Sequence, residues 1–526
     1  MKSSLAAACA ALALVGLQPG ALAAPSLPST NVAWLPAAAG ADIERAFARA
    51  KTENKPLLLY WGASWCPPCN QLKATLFNRQ DFATLSRSFV AVHVDGDRPG
   101  AQKLGSRFKV SGYPTVVLFT PQGQEITRLP GEADAPQVMA VLQSGLAGGR
   151  PVKAVLADAL AGKPLASNDW RMLAFYSWDT DEQQLVAKAA LPGTLVQLAV
   201  ASPTSGASAD PETTTRLWLK ALAASDDGKG VKADDSLRQR VLKVLADPQQ
   251  SRTQMDVLTN SADDIVRALE PDDSPGRAPL LAAFDAALKR LEADLTLSRN
   301  DRLGALYARV LLARLGTPKD TVQVQLPEPL LKDVREHVAR ADREISDGYE
   351  RQAVITYAGA LLARSGLWAD SDALLKSNLA KSHSPYYLMS QLGGNARKLG
   401  HKDEALGWYA QAFAKSEGPA TRLQWGSGYL TALVDLAPKD QARIEKTAAQ
   451  LFTEAARDAG AFEGRSVRSL QRVSSKLMGW SADGKQAAVL RRLQAQLKGV
   501  CAKVEAADGQ RAACDGLLKP AAKSAA

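Results

Sequence analysis

Trp65-Cys66-Pro67-Pro68-Cys69 contains two of the five cysteines in this 526-residue sequence. Two cysteines separated by two residues can close a small disulfide ring, act as an open dithiol, or supply half of a zinc site. An apolar run at 56–61 precedes them, as a buried strand would, and residues 70–78 carry apolar side chains at helical spacing. The first cysteine is therefore expected where a strand turns into a helix. There, free N–H groups and the helix dipole stabilise a thiolate.

The two cysteines of this turn are expected to have different roles. Cys66, at the mouth of the helix, is predicted to be the exposed attacking thiol with a lowered pKa. Cys69, one turn further in, is predicted to be shielded and to resolve a mixed disulfide by intramolecular attack. Pro67 takes the first helical position, where a missing N–H costs nothing, and with Pro68 it stiffens the turn. Zinc needs four ligands, and His93 is the only other candidate nearby in the sequence, so no metal is expected.

The residues around the turn predict an α/β unit. Hydrophobic periodicity indicates the order α-β-α-β-α-β-β-α, with one further short helix after the second. The expected elements span residues 42–52, 56–62, 67–78, 80–86, 89–95, 99–108, 115–120, 125–129 and 134–147. The sequence Gly148-Gly149-Arg150-Pro151 then marks a boundary.

Three further pieces of sequence follow in a fixed order: Val94-Asp95, Gly112-Tyr113-Pro114-Thr115 and Gly123. With the Cys-x-x-Cys turn, they make residues 42–147 resemble the thioredoxin fold. The similarity is closest to the thioredoxin-like domains of bacterial thiol:disulfide interchange proteins. The Gly-aromatic-Pro-Thr sequence about 45 residues after the cysteines makes this much more specific than the cysteine spacing alone. We therefore expect an α/β thioredoxin fold at residues 41–149.

The resemblance implies roles for residues outside the dithiol. Pro114 would be a cis-proline facing the cysteines, and the backbone of Tyr113 would meet an extended substrate strand. Trp65 would form exposed contact surface for the substrate. Two positions depart from the thioredoxin pattern. Tyr60 stands where a buried carboxylate often accepts the proton of the second cysteine, and Asn70 stands where Lys or Arg is common. The direction of electron flow therefore stays open.

Residues 1–23 have the features of a secretory signal peptide. Lys2 precedes an apolar stretch that is too short to span a bilayer, and Ala21-Leu22-Ala23 supplies small residues for cleavage before Ala24. An uncleaved membrane anchor is the alternative. Residues 24–40 are expected to be a leader segment. We expect a periplasmic protein, and an exported chain with no recognition motif is not expected to bind nucleic acid despite its net charge of +10.

Removal of the signal peptide leaves Cys501 and Cys514 besides the Cys-x-x-Cys pair. Four cysteines allow three connectivities. Residues 485–507 and 510–518 predict two helices joined by a turn at Asp508-Gly509, and Cys501 and Cys514 would face each other in this hairpin. We expect a structural disulfide there, worth about 3 kcal/mol by chain entropy. The alternative is a second redox site.

From residue 150 onward the sequence predicts an almost entirely helical chain. We expect a helical region at 150–345, tetratricopeptide-like repeats at 346–437 and a C-terminal helical region with the second disulfide at 438–526. An internal similarity supports repeats, since the motif at 307–316 recurs at 357–366. An unrelated stack of helix pairs would give much the same pattern.

These features predict an enzyme, a periplasmic thiol–disulfide oxidoreductase that acts on protein disulfides and dithiols through Cys66 and Cys69. The resemblance favours reduction or isomerisation over oxidation, and it implies a membrane thiol:disulfide reductase as the upstream partner. No cofactor is expected, and the helical region would dock a protein partner. The alternative is a helical-repeat adaptor whose thioredoxin-like domain is mainly a binding module.

Overall fold

The structure is a computed structural model that describes residues 31–129, 131, 133–178, 180–181, 184–225, 230–318, 320–505 and 509–519. The expected signal peptide, residues 1–23, and the first part of the expected leader, residues 24–30, lie outside the described residues. The same holds for Asp508 in the expected C-terminal turn.

A five-stranded sheet forms the N-terminal part of the molecule, with the strand order β1-β3-β2-β4-β5. The first three strands are mutually parallel, while β4 runs antiparallel to both β2 and β5. Their bounds are β1 Leu35–Ala37, β2 Leu57–Gly62, β3 Val90–Asp95, β4 Thr115–Phe119 and β5 Glu125–Leu129. With the helices that flank it, this sheet confirms the expected α/β thioredoxin-like fold.

Strand β1 lies in the segment that the sequence assigns to the leader, so the expectation that residues 24–40 are only a leader is wrong for residues 35–37. The strand pairs in parallel with β3, placing Leu35 opposite Val92. Three residues are too short for an alternating pattern to predict a strand. Pro36 is tolerated because β1 is an edge strand.

Five helices flank the sheet: α1 Gly40–Glu53, α2 Pro67–Leu72, α3 Gln80–Leu85, α4 Ala101–Arg107 and α5 Ala135–Leu146. The helix expected at 67–78 is not uniform. It is α-helical through Leu72 and then continues as a π-helical turn over Lys73–Phe77. Helix α2 begins directly after β2, so the dithiol turn joins the central strand to this helix.

The remainder of the described chain is helical, which confirms the expected class of the second region. Its α-helices are α6 Val152–Leu160, α7 Ser167–Ala174, α8 Leu191–Ala201, α9 Pro211–Ala223, α10 Asp235–Ala246, α11 Pro248–Thr253, α12 Met255–Asn260, α13 Ala262–Leu269, α14 Arg277–Ala293, α15 Arg299–Ala313, α16 Glu328–Glu344, α17 Gly348–Arg364, α18 Trp368–Asn378, α19 Pro385–Lys398, α20 Lys402–Lys415, α21 Pro419–Leu436, α22 Gln441–Ala455, α23 Gly464–Trp480, α24 Ala487–Cys501 and α25 Gln510–Gly516. Within the ranges described, no helix combines the length and apolar character needed to cross a membrane.

Consecutive helices from α17 to α22 pack against one another. The two copies of the internal motif lie side by side, because the rings of Tyr307 and Tyr357 are 5.3 Å apart. That these are true tetratricopeptide units remains a prediction.

The C-terminal hairpin contains a disulfide between Cys501, the last residue of α24, and Cys514 in α25. Both cysteines are buried in the hydrophobic core of the C-terminal helices. The bond therefore joins the last two helices inside a packed core, as expected for a structural disulfide.

The helical region folds back over the thioredoxin-like domain. Helix α17 packs against α2, and α23 packs against α4. One hydrophobic core runs without interruption from the sheet into the first helices of the helical region. The dithiol turn consequently lies between the two regions rather than at the surface.

Candidate active site

The cysteines of the dithiol turn are joined by a disulfide, with their Cα atoms 5.2 Å apart. Cys66 is the N-cap of α2, and its Sγ accepts a hydrogen bond from the Cys69 backbone N–H at 3.1 Å. Pro67 and Pro68 follow in the first helical positions, where no N–H is needed. Cys66 therefore sits where the helix N-terminus favours negative charge on sulfur.

The Tyr113–Pro114 peptide bond is cis, as the resemblance implies. The Tyr113 ring lies 6.2 Å from the Trp65 ring, and its hydroxyl accepts a hydrogen bond from Gln102 Nε2 at 2.8 Å. Tyr113 is thus held on the same side of the sheet as the residue that precedes the dithiol.

Asn70 has a structural role at this turn. Its Nδ2 donates to the carbonyl oxygens of Ser64 at 2.7 Å and Cys66 at 2.8 Å. The side chain is fully buried and clamps the two ends of the turn together. A Lys or Arg at this position could not take the same place without burying its charge.

Tyr60 occupies the position of the usual buried carboxylate and is itself buried. Burial, with Asp95 adding to it, raises the pKa of Tyr60 far above its ordinary value, so the phenol is no proton acceptor at neutral pH. The ring stacks on His93 at 4.9 Å. Burial also raises the pKa of Asp95 and lowers that of Lys73. Val94-Asp95 is part of the sequence resemblance, but no role in the site is expected of Asp95 from the sequence.

The disulfide is covered by the helical region. Cys66 is 2% exposed and Cys69 is fully buried. Both belong to a hydrophobic cluster that includes Tyr386, Met389 and Ala412 of α19 and α20. The expectation that Cys66 is exposed is therefore wrong for this conformation, because side chains more than 300 residues away in the chain lie over it.

Trp65 is likewise buried, at 8% exposure, so the expectation that it forms exposed contact surface is wrong for this conformation. Its ring stacks on Tyr387 at 6.0 Å and meets Trp425 edge-on at 6.1 Å. The guanidinium of Arg465 lies 5.0 Å from the ring centre. The surface that a substrate would contact is thus occupied by aromatic and cationic side chains of the same chain.

Asp97, in the loop after β3, is the centre of the polar contacts between the two regions. Its Oδ2 accepts from Trp65 Nε1 at 2.8 Å. Its Oδ1 accepts from Arg465 Nη2 at 2.6 Å and from both the backbone N–H and the hydroxyl of Thr421, at 3.0 and 2.5 Å. Asp97 and Arg465 are both largely buried. We call these contacts of Asp97, Thr421 and Arg465 the Asp97 latch.

Two more hydrogen bonds join the dithiol turn to the helical region. Gln352 Nε2 of α17 donates to the Trp65 carbonyl at 3.1 Å. His383 Nε2 lies at hydrogen-bond distance, 3.0 Å, from the Ser64 carbonyl. Because none of these partners is near in sequence, periodicity and local motifs carry no signal for them. No sequence pattern indicates that Tyr386, Tyr387 and Trp425 belong to the site.

The arrangement of the site is that of a thiol–disulfide exchange centre. The disulfide lies at the N-terminus of the helix that follows the central strand β2, and a cis-proline directly precedes β4, which pairs with β2. Among the described residues, no group of three or more His, Cys, Asp or Glu side chains is placed to hold a metal ion.

Comparison with known proteins agrees with this class. A family model described as a thioredoxin-like domain matches residues 43–146. A thioredoxin-like protein of Synechocystis is 33% identical over 89 residues, which cover 17% of this chain and 80% of that protein. The chain therefore belongs to the thioredoxin-like family, and residues 43–146 form a domain of the thiol–disulfide oxidoreductase type.

The chain is also similar to thiol:disulfide interchange proteins named DsbD. DsbD 2 of Pseudomonas aeruginosa is 29% identical over 120 residues, covering 22% of this chain and 20% of that protein. DsbD of Cronobacter sakazakii is 32% identical over 99 residues, covering 18% and 17% respectively. The chain thus spans about a fifth of the length of these relatives.

Proposed function

We propose that the chain is a periplasmic thiol–disulfide oxidoreductase that reduces or isomerises protein disulfides through Cys66 and Cys69. The observation that carries the proposal is the disulfide at the N-terminus of α2, with Cys66 as its N-cap. The preference for reduction or isomerisation over oxidation comes from the sequence resemblance of residues 42–147. Export is supported by the signal-peptide features of residues 1–23, and N-terminal sequencing of the mature protein should then begin at Ala24.

The reductive reaction follows from the two positions of the cysteines. The Cys66 thiolate attacks one sulfur of a substrate disulfide, which releases the other sulfur as a thiolate and leaves a mixed disulfide. The Cys69 thiolate then attacks Cys66 Sγ, so the second substrate sulfur leaves as a thiolate. The Cys66–Cys69 disulfide that forms is the state in the structure. Two electrons pass to the substrate, and a membrane thiol:disulfide reductase is the proposed donor that restores the dithiol.

Access to Cys66 requires a movement of the helical region. A disulfide sulfur must approach the attacking thiolate directly, and Tyr386, Met389 and Ala412 now occupy that space. We propose that the helical region moves away from the dithiol turn in a reversible opening of the free chain, and that a protein partner docked on it favours the open state. The Asp97 latch sets the free-energy cost of this opening.

Reduction of insulin driven by dithiothreitol tests the activity of the dithiol. The wild-type chain should accelerate precipitation of the insulin B chain, and Cys66→Ser should reduce the rate to that of dithiothreitol alone because the attacking sulfur is lost. In a separate reaction of the reduced chain with insulin and no dithiothreitol, Cys69→Ser should accumulate a mixed disulfide with the substrate, since resolution is blocked. Equal rates for the wild-type chain and Cys66→Ser would contradict the proposal.

The buried dithiol gives some support to the alternative, a helical-repeat adaptor in which the thioredoxin-like domain only binds. The two functions are distinguished by capturing a partner of the helical region from periplasmic extract and then removing both cysteines of the dithiol. An adaptor carrying both Cys66→Ser and Cys69→Ser keeps the partner and its cellular role. The proposed enzyme loses the cellular role with these substitutions.

A further inference from the structure

A second candidate site lies in the helical region, apart from the dithiol. A cavity of about 250 Å³ opens between the C-terminal ends of α15 and α17 and the side of α19. Its lining includes Arg314 and Arg364, which hold the same place in the two copies of the internal motif. Tyr307 and Trp368 supply aromatic walls, and Lys398 lies at the rim.

Arg314 is a buried cation that has no acidic partner among the residues described by the structure. It is 8% exposed, and its guanidinium donates to the backbone carbonyl of Arg364. Burial and the nearby charge of Arg364 both lower the pKa of Arg314, while the adjacent Tyr307 acts in the opposite direction. The dominant charged neighbour of Arg314 is thus a second cation.

Arg364 also lacks an anion. Its Nε is buried and has no acceptor within the part of the chain that the structure describes. Lys398 of the cavity lining pairs with Asp320 at 2.6 Å, and the Asp320 side chain is 94% exposed. Across the described residues, no ion pair satisfies either arginine of the cavity.

Arg314 is buried and Arg364 is partly buried, so two like charges share this cavity, and an anion bound beside them would relieve their repulsion. The planar fork of Arg matches the two oxygens of a carboxylate, and the aromatic walls suit the apolar atoms next to it. The volume is small, so one or two residues of a polypeptide would fill it. We propose that this cavity binds a carboxylate of a partner polypeptide, at its C-terminus or on an acidic side chain, between Arg314 and Arg364.

This site does not depend on the redox function, and its test uses the full oxidised chain. The probes are an N-acetylated Ala-Leu-Ala tripeptide with a free C-terminal carboxylate, the same peptide as its amide, N-acetylated Ala-Glu-Ala amide, and inorganic phosphate. Binding is measured by calorimetry. At least one carboxylate peptide should bind, and the uncharged amide should bind about tenfold or more weakly, because charge-assisted hydrogen bonds are lost.

Arg364→Gln is the decisive variant, because its guanidinium has no partner in the described chain whose loss would unfold the protein. This substitution should lower the affinity for the carboxylate peptide about tenfold or more. The unfolding temperature measured without ligand should stay unchanged or rise. Arg314→Gln should weaken binding similarly. The matched control is Arg491→Gln, an exposed arginine of α24, which should bind as the wild type does.

Four outcomes would overturn the proposal. Equal affinity for the free acid and the uncharged amide would show that charge is not recognised. Equal losses of affinity for the carboxylate peptide in Arg364→Gln and Arg491→Gln would indicate general attraction to a basic protein. Binding of phosphate without binding of either carboxylate peptide would assign the cavity to another oxyanion, and a lower unfolding temperature for Arg364→Gln would assign Arg364 a structural role.

Discussion

At the scale of single residues, the site differs from the expected one mainly in what surrounds it. Asp97 contacts Trp65 on one side and Arg465 on the other, so one carboxylate joins the dithiol turn to the helical region. Asn70 explains one departure from the thioredoxin pattern, because its amide holds the turn closed. Tyr60 stacks on His93 in a site without a proton acceptor at position 60.

His93 gives the fold a pH dependence. Burial, with Lys73 and Arg98 adding to it, lowers the pKa of His93 from 6.5 to about 4. Between these values the unfolded chain binds a proton that the folded chain does not, so the contribution of His93 to stability is present above pH 6.5 and is lost as the pH falls towards 4. The free energy of unfolding of the wild-type chain should therefore fall in this window relative to that of His93→Asn.

Urea unfolding at a series of pH values measures this difference. The matched control is His401→Asn, which replaces an exposed histidine of the helical region, and its difference from the wild-type chain should change much less across this window. A constant difference between wild type and His93→Asn across the window would contradict the assigned cause.

At the scale of elements, two sequence motifs are sufficient to predict the fold of the N-terminal domain. The Cys-x-x-Cys turn and the Gly112 to Thr115 sequence predict the fold because each demands a particular local geometry, a helix start and a cis-proline. Strand β1 could not be predicted, since three residues carry no period and its pairing partner β3 lies more than 50 residues away. The π-helical turn after α2 also has no simple sequence signal.

The C-terminal hairpin yields a prediction at this scale. Replacing both Cys501 and Cys514 with Ser should lower the free energy of unfolding by about 3 kcal/mol, because the disulfide restricts the unfolded chain. Chemical unfolding of the oxidised protein measures the change, and insulin reduction should remain at the wild-type rate. Loss of that activity in a folded variant would instead indicate a second redox site.

At the scale of the whole molecule, the helical region forms a cover over the dithiol. The thioredoxin-like fold and the helical class of the second region could be predicted from sequence, but their mutual placement could not. Arg465 and Asp97 are 368 residues apart, and Gln352 and Trp65 are 287 apart. Contacts between residues so far apart in the chain produce no periodic pattern in a single sequence. The proposed thiol exchange would therefore depend on the whole chain, since the cover would have to open before a protein disulfide could reach Cys66.

The rate at which dithiothreitol reduces the Cys66–Cys69 disulfide in the native oxidised chain tests this account most directly. Alkylation and mass spectrometry follow this bond separately from Cys501–Cys514. Arg465→Ala removes the partner of Asp97 and should accelerate reduction about tenfold or more, because a buried charge-assisted hydrogen bond favours the covered state. Arg472→Ala, an exposed change on the same helix, should react as the wild type does. Equal rates for the wild-type chain and Arg465→Ala, or equal acceleration in both variants, would contradict the account.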